Sequence, residues 1–363
     1  MACASLLSLP DELTGEIIDA IPSPSDILSL ALTCRSLEQL LIPSVLNYRH
    51  ITLGVTKSLP LWLDLARSPG LARNVRHLEV DYATFFGEPE EPESETYAAF
   101  CRALRGMSGL LKFGCNYTDG TVTSMGLGGV LEAIRISCPH LNNLGLAVKL
   151  EDAVEDDWDA ELPKFRNIET FYYYLELFPT VDYPSFGNVL RFLFNNPSLV
   201  SIQLHFHDGP QPLEDSIVSL HFPNLEMFTL THVTFTSPAF CSFLRLNNSL
   251  VSLHLYSCSC LSPGTPMLDS LRVGDLPNLR NCWVDSDNSW MYVCEAKPPL
   301  LRSLGRVRAH HFSHQGKRAF EAIRAVSGSL ELLRGSLGLQ RRGYKEAVIA
   351  AFPSLEVVCS AQY

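Results

Sequence analysis

Asn195-Asn196-Pro197-Ser198-Leu199-Val200-Ser201-Ile202-Gln203-Leu204 is the stretch whose reading decides the fold. Its core is a short phrase: apolar, two variable residues, apolar, one variable residue, apolar, carried here by Leu199, Ile202 and Leu204. The alternation Ile202-x-Leu204 has the two-residue period of a strand with one buried face. Pro197 lacks the amide proton that would continue a helix, so it marks a stop just before the strand. The phrase recurs as Leu141-x-x-Leu144-x-Leu146, Leu225-x-x-Phe228-x-Leu230 and Leu250-x-x-Leu253-x-Leu255. Looser copies begin at Val75, Leu110, Ile168 and Leu279, and the most degraded at Leu301, Leu330 and Leu355. Their mean spacing is about 28 residues, the size of one supersecondary unit in a repeat array. Prolines precede the phrase again at Pro139, Pro223, Pro277 and Pro353.

Upstream of these stops lie stretches with helical spacing of apolar residues. Phe186, Val189, Leu190 and Leu193 form one, Phe240, Phe243 and Leu244 a second, and Tyr97, Phe100, Cys101 and Leu104 a third. The unit is therefore strand, loop, helix, proline stop, next strand. A single unit cannot bury its apolar side; stacked neighbours bury it together. The pattern resembles a leucine-rich repeat. That resemblance implies an α/β solenoid with parallel strands on a concave face and helices on a convex face. The Asn or Cys that the family places after the strand is clear only at Cys258, so the repeats are irregular. An ordinary doubly wound α/β domain is the alternative.

Residues 1–50 lack the phrase. Leu9-Pro10-Asp11-Glu12-Leu13 opens a helix with proline in the first turn and acids at the positive end of the dipole. Leu13, Ile17, Ile18 and Ile21 make its apolar stripe, and Pro22 and Pro24 end it. A second helix begins at about Ser25, read as its N-cap, and a third runs from about Cys34 to Pro43. So short a segment cannot bury all these apolar residues within itself, which suggests a docking face. The series Leu9-Pro10-x-Glu12-Leu13, Ile17, Ile21, Asp26-Ile27-Leu28, Leu30 and Cys34-Arg35 resembles an F-box. The phrases Tyr48–Leu53 and Ser68–Leu78 are similar to those that follow this motif in many fungal F-box proteins with degenerate leucine-rich repeats.

The resemblance implies a substrate receptor of an SCF-type cullin-RING ubiquitin ligase. Residues 1–50 would dock to the adaptor subunit, and through it to cullin. Residues 51–73 would form a linking helix and cap, and residues 74–363 a domain of about eleven repeats. The adaptor contacts implied are Leu9, Pro10, Leu13, Ile17, Ile27, Leu28 and Leu32. The alternative is a repeat scaffold with no ubiquitin role, whose first helices only cap the solenoid.

In such a horseshoe the residue inside each Leu-x-Leu and its flanks point to the open face. These positions hold Tyr172, Tyr174, Gln203, His205, Thr229, Thr231, His254, Tyr256, Trp283 and Asp285. Of these, Tyr172, Tyr174, His205, His254, Tyr256 and Trp283 are the candidate contacts to a protein target, because aromatic residues dominate recognition surfaces. Aromatic residues also suit strands in their own right.

The chain has 363 residues and a net charge of −11, which argues against a general nucleic-acid binder or a basic membrane-surface protein. The charge is uneven. Residues 297–345 carry eleven bases and two acids, among them Arg302, Arg306, Arg308, Lys317, Arg318, Arg324 and Arg334. Either this segment cradles an acidic or phosphorylated target, or it is a set of solvated helix faces on the last repeats. Acidic runs at 88–95 and 151–161 read as solvated insertions.

Apolar residues make up 46 % of the chain, enough to exclude a mainly disordered protein. No apolar run reaches the length of a membrane span, and the N-terminus has no basic leader pattern, so a cytoplasmic or nuclear setting is expected. The eleven cysteines show no Cys-x-x-Cys pair and read as free thiols. The sequons at Asn116 and Asn247 then read as chance matches. His310 and His314 share a helical spacing but lack companion ligands, and no metal or cofactor is expected. Gly126-Leu127-Gly128-Gly129 lacks dinucleotide-binding spacing and reads as a loop before a helix at 130–137. With no nucleophile elbow, phosphate loop or His-Glu-x-x-His, catalysis is not expected.

Overall fold

The computed structural model describes residues 9–360 apart from 22, 54–58, 82–94, 117–126, 151–157, 178–186, 208–210, 213–218, 263, 286–288, 337–338 and 340–342. Most of both acidic runs, Gly126, Phe186, Arg341 and Arg342 lie outside the described residues.

The chain opens with three short helices, α1 (Asp11–Asp19), α2 (Pro24–Ala31) and α3 (Arg35–Leu41), then a π-helical turn (Ile42–Leu46) and α4 (Asn47–Arg49). They have their own small core of Ile18, Ile27, Ala31, Leu37, Leu41 and Val45, with Ile21, Leu30, Ile42 and Leu46 packed against it. Helix α2 begins at Pro24 behind Ser23, two residues earlier than the Ser25 cap read from sequence. The proline opens the helix, because the first turn does not use its missing donor.

Two compact units follow from the packing: residues 1–145 with 156–161, and residues 146–155 with 162–363. The first continues through β1 (His50–Leu53), α5 (Leu59–Arg67), α6 (Pro69–Arg73), β2 (His77–Asp81), α7 (Glu95–Leu104), β3 (Lys112–Asn116) and α8 (Leu127–Ser137). Strand β1 pairs with β2, and β2 with β3, all parallel. Helices α5 and α7 meet through Trp62, edge-on to Phe100 at 4.7 Å. Gly128 and Gly129 lie inside α8, not in a preceding loop, and a side chain at Gly129 would collide with the Tyr97 hydroxyl. Strand β4 (Asn143–Leu150) spans the division between the units.

The second unit runs through β5 (Thr170–Leu177), α9 (Gly187–Asn195), β6 (Ser201–Phe206), β7 (Gln211–Pro212), β8 (Met227–Thr231), β9 (Val233–Phe235) and α10 (Ser237–Leu246). It continues through β10 (Ser252–Tyr256), β11 (Ser259–Cys260), β12 (Asn281–Val284), α11 (Ser289–Glu295), β13 (Ser303–Val307), α12 (Ala309–Val326), β14 (Leu332–Ser336), α13 (Tyr344–Ala351) and β15 (Glu356–Ser360). Its main sheet has the order β5-β6-β8-β10-β12-β13-β14-β15, and β11-β9-β7 form a small second sheet. Every pairing recorded within these sheets is parallel. This is an α/β fold of leucine-rich-repeat type, not a doubly wound one: chain order and strand order coincide, with no reversal of direction across the sheet.

The physical basis is visible in each unit. Leu199, Ile202 and Leu204 are fully buried, as are Leu250, Leu253 and Leu255. Phe171 packs on Phe192 of α9 at 4.2 Å, and Phe228 on Phe243 of α10 at 4.9 Å. One sheet face is thus covered by helices. Just before the strands, backbone amides hand on from repeat to repeat: Glu226 donates to Val200, Val251 to Glu226, Arg280 to Val251 and Arg302 to Arg280, each at 2.8 Å.

Two buried asparagines stitch the helix ends to the preceding repeat. The Asn196 side chain accepts from the Ile168 amide at 3.1 Å and donates to the carbonyls of Phe165 at 3.2 Å and Phe192 at 2.8 Å. Asn247 accepts from Phe222 at 2.7 Å and donates to Leu220 at 3.2 Å and Phe243 at 2.8 Å. Asn247 has no exposed surface, so its sequon is closed to glycosylation in the folded chain. Cys258 is likewise buried, with its thiol on the Leu230 and Tyr256 carbonyls. Burial pushes that thiol up to about 12.

Candidate binding surface on the open sheet face

The half-exposed face of the second unit's sheet is built by register. Tyr172, Gln203, Thr229, His254, Trp283 and Gly305 stand side by side on six consecutive strands. Two residues along lies a second row of Tyr174, His205, Thr231 and Tyr256. All six candidate target contacts, Tyr172, Tyr174, His205, His254, Tyr256 and Trp283, therefore share one face and are half-buried. With strands about 4.8 Å apart, the first row extends roughly 24 Å.

The side chains touch one another along these rows. His205 lies 5.4 Å from the Tyr172 ring and 6.5 Å from Tyr174. His254 lies 6.1 Å from Tyr256 and 5.6 Å from Trp283. His205 Nδ1 shares a 2.8 Å hydrogen bond with the Thr231 hydroxyl. Burial holds both histidines below the ordinary imidazole range, so they are neutral at pH 7. Burial pushes the Tyr172 and Tyr256 phenols up; at Tyr256 the Arg306 charge partly opposes this and Asp285 adds to it. The middle of the surface is therefore uncharged, aromatic and hydrogen-bonding.

Its far end is different. The Arg306 guanidinium carbon sits 5.2 Å from the centre of the Tyr256 ring, and that of Arg334 5.3 Å from the Trp283 ring. Both are strand residues, on β13 and β14, so of the two readings of the basic segment the helix-face one does not hold for them. Arg318 does belong to a helix, α12, and its guanidinium pairs with Glu295 at 2.8 Å. Two local features bring the arginines onto the rings. Gly305 has the Trp283 indole against it, and a Cβ there would lie 2.8 Å from ring atoms. Arg306 has φ 65°, where the β13–β14 register shifts between Leu304 and Val307. A left-handed arginine inside a strand is strained, and such strain persists only where surrounding structure holds it. The phrase at Leu301 carries the trace of this, since its third apolar residue falls one position late, at Val307. Nearby, Asp285 accepts the Ser257 amide at 2.6 Å and lies 3.8 Å from Arg308.

The adaptor candidates divide. Leu13, Ile17, Leu28 and Leu32 are exposed at 46 %, 41 %, 43 % and 68 %, as two i, i+4 pairs, one on α1 and one on α2 and its C-cap. Pro10 is exposed and Leu9 half-buried. Ile27 is fully buried in the helical core, so it holds the cluster together and offers no docking surface. Sequence spacing alone could not separate it from Leu28, because the apolar residues Ile27, Leu28, Leu30 and Ala31 do not line up as one narrow stripe.

Among the described residues, no three His, Cys, Asp or Glu side chains are grouped to hold a metal ion. None of the described helices is long and apolar enough to cross a membrane.

No family model matches the chain, and no curated protein matches it. The crystal structure of the yeast Rad7–Elc1 complex is similar at 14 % identity and a TM-score of 0.37, over 98 % of this chain and 93 % of that one. A Bacteroides fragilis protein is similar at 11 % identity and a TM-score of 0.35, over 79 % of this chain and 75 % of the other. At these scores neither likeness bears on what the chain does.

Proposed function

We propose that this chain is a non-catalytic substrate receptor of an SCF-type cullin-RING ubiquitin ligase. Its first three helices dock on the adaptor, and its open sheet face holds a target protein. The observation that carries the reading is the pair of exposed apolar stripes, Leu13 with Ile17 and Leu28 with Leu32, on helices that already have a core of their own. Apolar side chains spare to a local core are what a docking groove takes up, and their loss from water drives association. The F-box resemblance supplies the kind of partner.

Leu13→Asp with Leu28→Asp tests it in a pull-down of purified adaptor subunit. Capture by the unaltered chain and loss of at least about tenfold in the variant is the expected result. A chain that folds, and that the adaptor ignores with or without the substitutions, overturns the receptor reading. The scaffold reading is favoured by one contact: Arg49, at the end of α4, donates to the Ile21 carbonyl at 2.7 Å and ties the helices to the start of β1 as a cap would be tied.

A further inference from the structure

We propose that Tyr256, Trp283, Arg306 and Arg334 form a subsite for the carboxylate side chains of an acidic peptide segment, laid extended across the aromatic rows. The inference rests on the sheet face being the target-binding surface, and not on the identity of the ligase.

Both arginines are half-buried or exposed, and among the described residues neither is paired with a carboxylate. Their neighbours are partnered: Arg302 lies 3.8 Å from Glu331, Arg308 the same distance from Asp285, and Arg318 pairs with Glu295. A guanidinium held over a ring by a cation–π contact presents its N–H fork in a matching geometry for bidentate pairing with a carboxylate. The ring also shields one side of the pair from water, which strengthens it. Holding this geometry takes a glycine beneath Trp283 and a left-handed φ at Arg306. A row of solvated charges would need neither.

The rest of the surface fixes the remainder of the ligand. His205 and His254 are neutral at pH 7, so the aromatic rows suit apolar or aromatic side chains beside the acids. Val358, exposed and in register beside Arg334, extends the apolar surface past the arginines. A row of roughly 24 Å takes about seven residues of extended chain. An acidic peptide is preferred over a nucleic acid because the cationic feature is two side chains, not the stripe that a phosphate backbone would need.

The probe is a pool of eight-residue peptides with two central glutamates and degenerate aromatic or aliphatic flanks. It is compared, on the full chain, with the same pool carrying glutamine, a pool carrying phosphoserine, and single-stranded RNA of eight nucleotides. Retention of the glutamate pool at least about tenfold above the glutamine pool is expected, with loss of that preference in Arg334→Gln and in Arg306→Gln. Arg302→Gln, which lies outside the subsite, should keep it. Equal retention of acid and amide pools, no retention of any pool, retention of phosphoserine alone or RNA binding each overturns the proposal. Circular dichroism verifies that each variant folds. Should Arg306→Gln fail to fold, the exposed Arg334→Gln decides. Loss of adaptor capture with the glutamate preference intact would remove the ligase reading and leave the subsite standing.

Discussion

Asn247 shows how much a single side chain can do in this architecture. It closes three hydrogen bonds to backbone groups that have no water to turn to. Truncation to alanine strands those groups in the interior, where each unsatisfied group costs roughly 1–3 kcal/mol. Asn247→Ala is therefore expected to lower unfolding stability by about 3 kcal/mol, measured by urea denaturation. Asn248→Ala, one residue along, serves as the control. Sequence reading found Asn247 only as a sequon. The better signal was its likeness to Asn196: both follow a Phe-Leu pair by three residues and precede the strand phrase by three. What no pattern revealed is which carbonyls a buried amide would find, because those lie in the preceding repeat.

At the scale of the element, strands were legible and their irregularities left fainter traces. Ten of the eleven phrase starts precede a strand by two residues, and the last, Leu355, precedes one by a single residue. The alternation is forced by burial on one face, so it survives even in degraded copies. Strand β1 is harder to read because its copy of the phrase, Tyr48-x-x-Ile51-x-Leu53, opens on a tyrosine and not on an aliphatic residue. The β13 bulge does leave a trace in the sequence: the third apolar residue of the phrase comes one position late, at Val307, after a glycine inside the strand. Here Gly305→Ala is informative. A methyl group would meet the indole at 2.8 Å, so Trp283 must move off the strand and take Arg334 with it. A changed tryptophan near-ultraviolet dichroism with little change in far-ultraviolet signal is expected. An unchanged near-ultraviolet spectrum would show that the ring does not rest on the glycine. The candidate site was legible as a set of outward positions. Its cationic end was legible only as a basic segment with two readings, because charge along the chain does not say that Arg306 and Arg334 lie on strands beside the aromatic rows.

For the whole molecule, acid is the weak side. His50 and His77 stack at 4.1 Å in the first unit, and burial lowers both; each neighbouring positive charge adds to this, and Glu79 opposes it. His205 and His254 are lowered in the second unit by burial. A histidine whose folded value lies below its unfolded value of 6.5 binds protons more readily when unfolded. The stability linked to these four groups is full above pH 6.5 and is lost as pH falls through their folded values. Thermal midpoints should thus fall between pH 7.5 and pH 5.5. Replacing His205 and His254 by glutamine should flatten that fall, and an identical slope in the variant would remove these two histidines from the account.

The coincidence of chain order and strand order has a consequence for how such a protein comes apart. Within each unit, each described strand pairs with those that come just before and just after it in its sheet, so no described segment there depends on a distant one to close a loop. Contact order stays low for a β-rich chain, and stability becomes a sum of nearest-neighbour couplings, as in a one-dimensional lattice. Under tension the ends would peel inward one repeat at a time, each step releasing about 28 residues of slack. A solenoid built this way can lose a terminal repeat to a pulling force and close again from the repeats that remain.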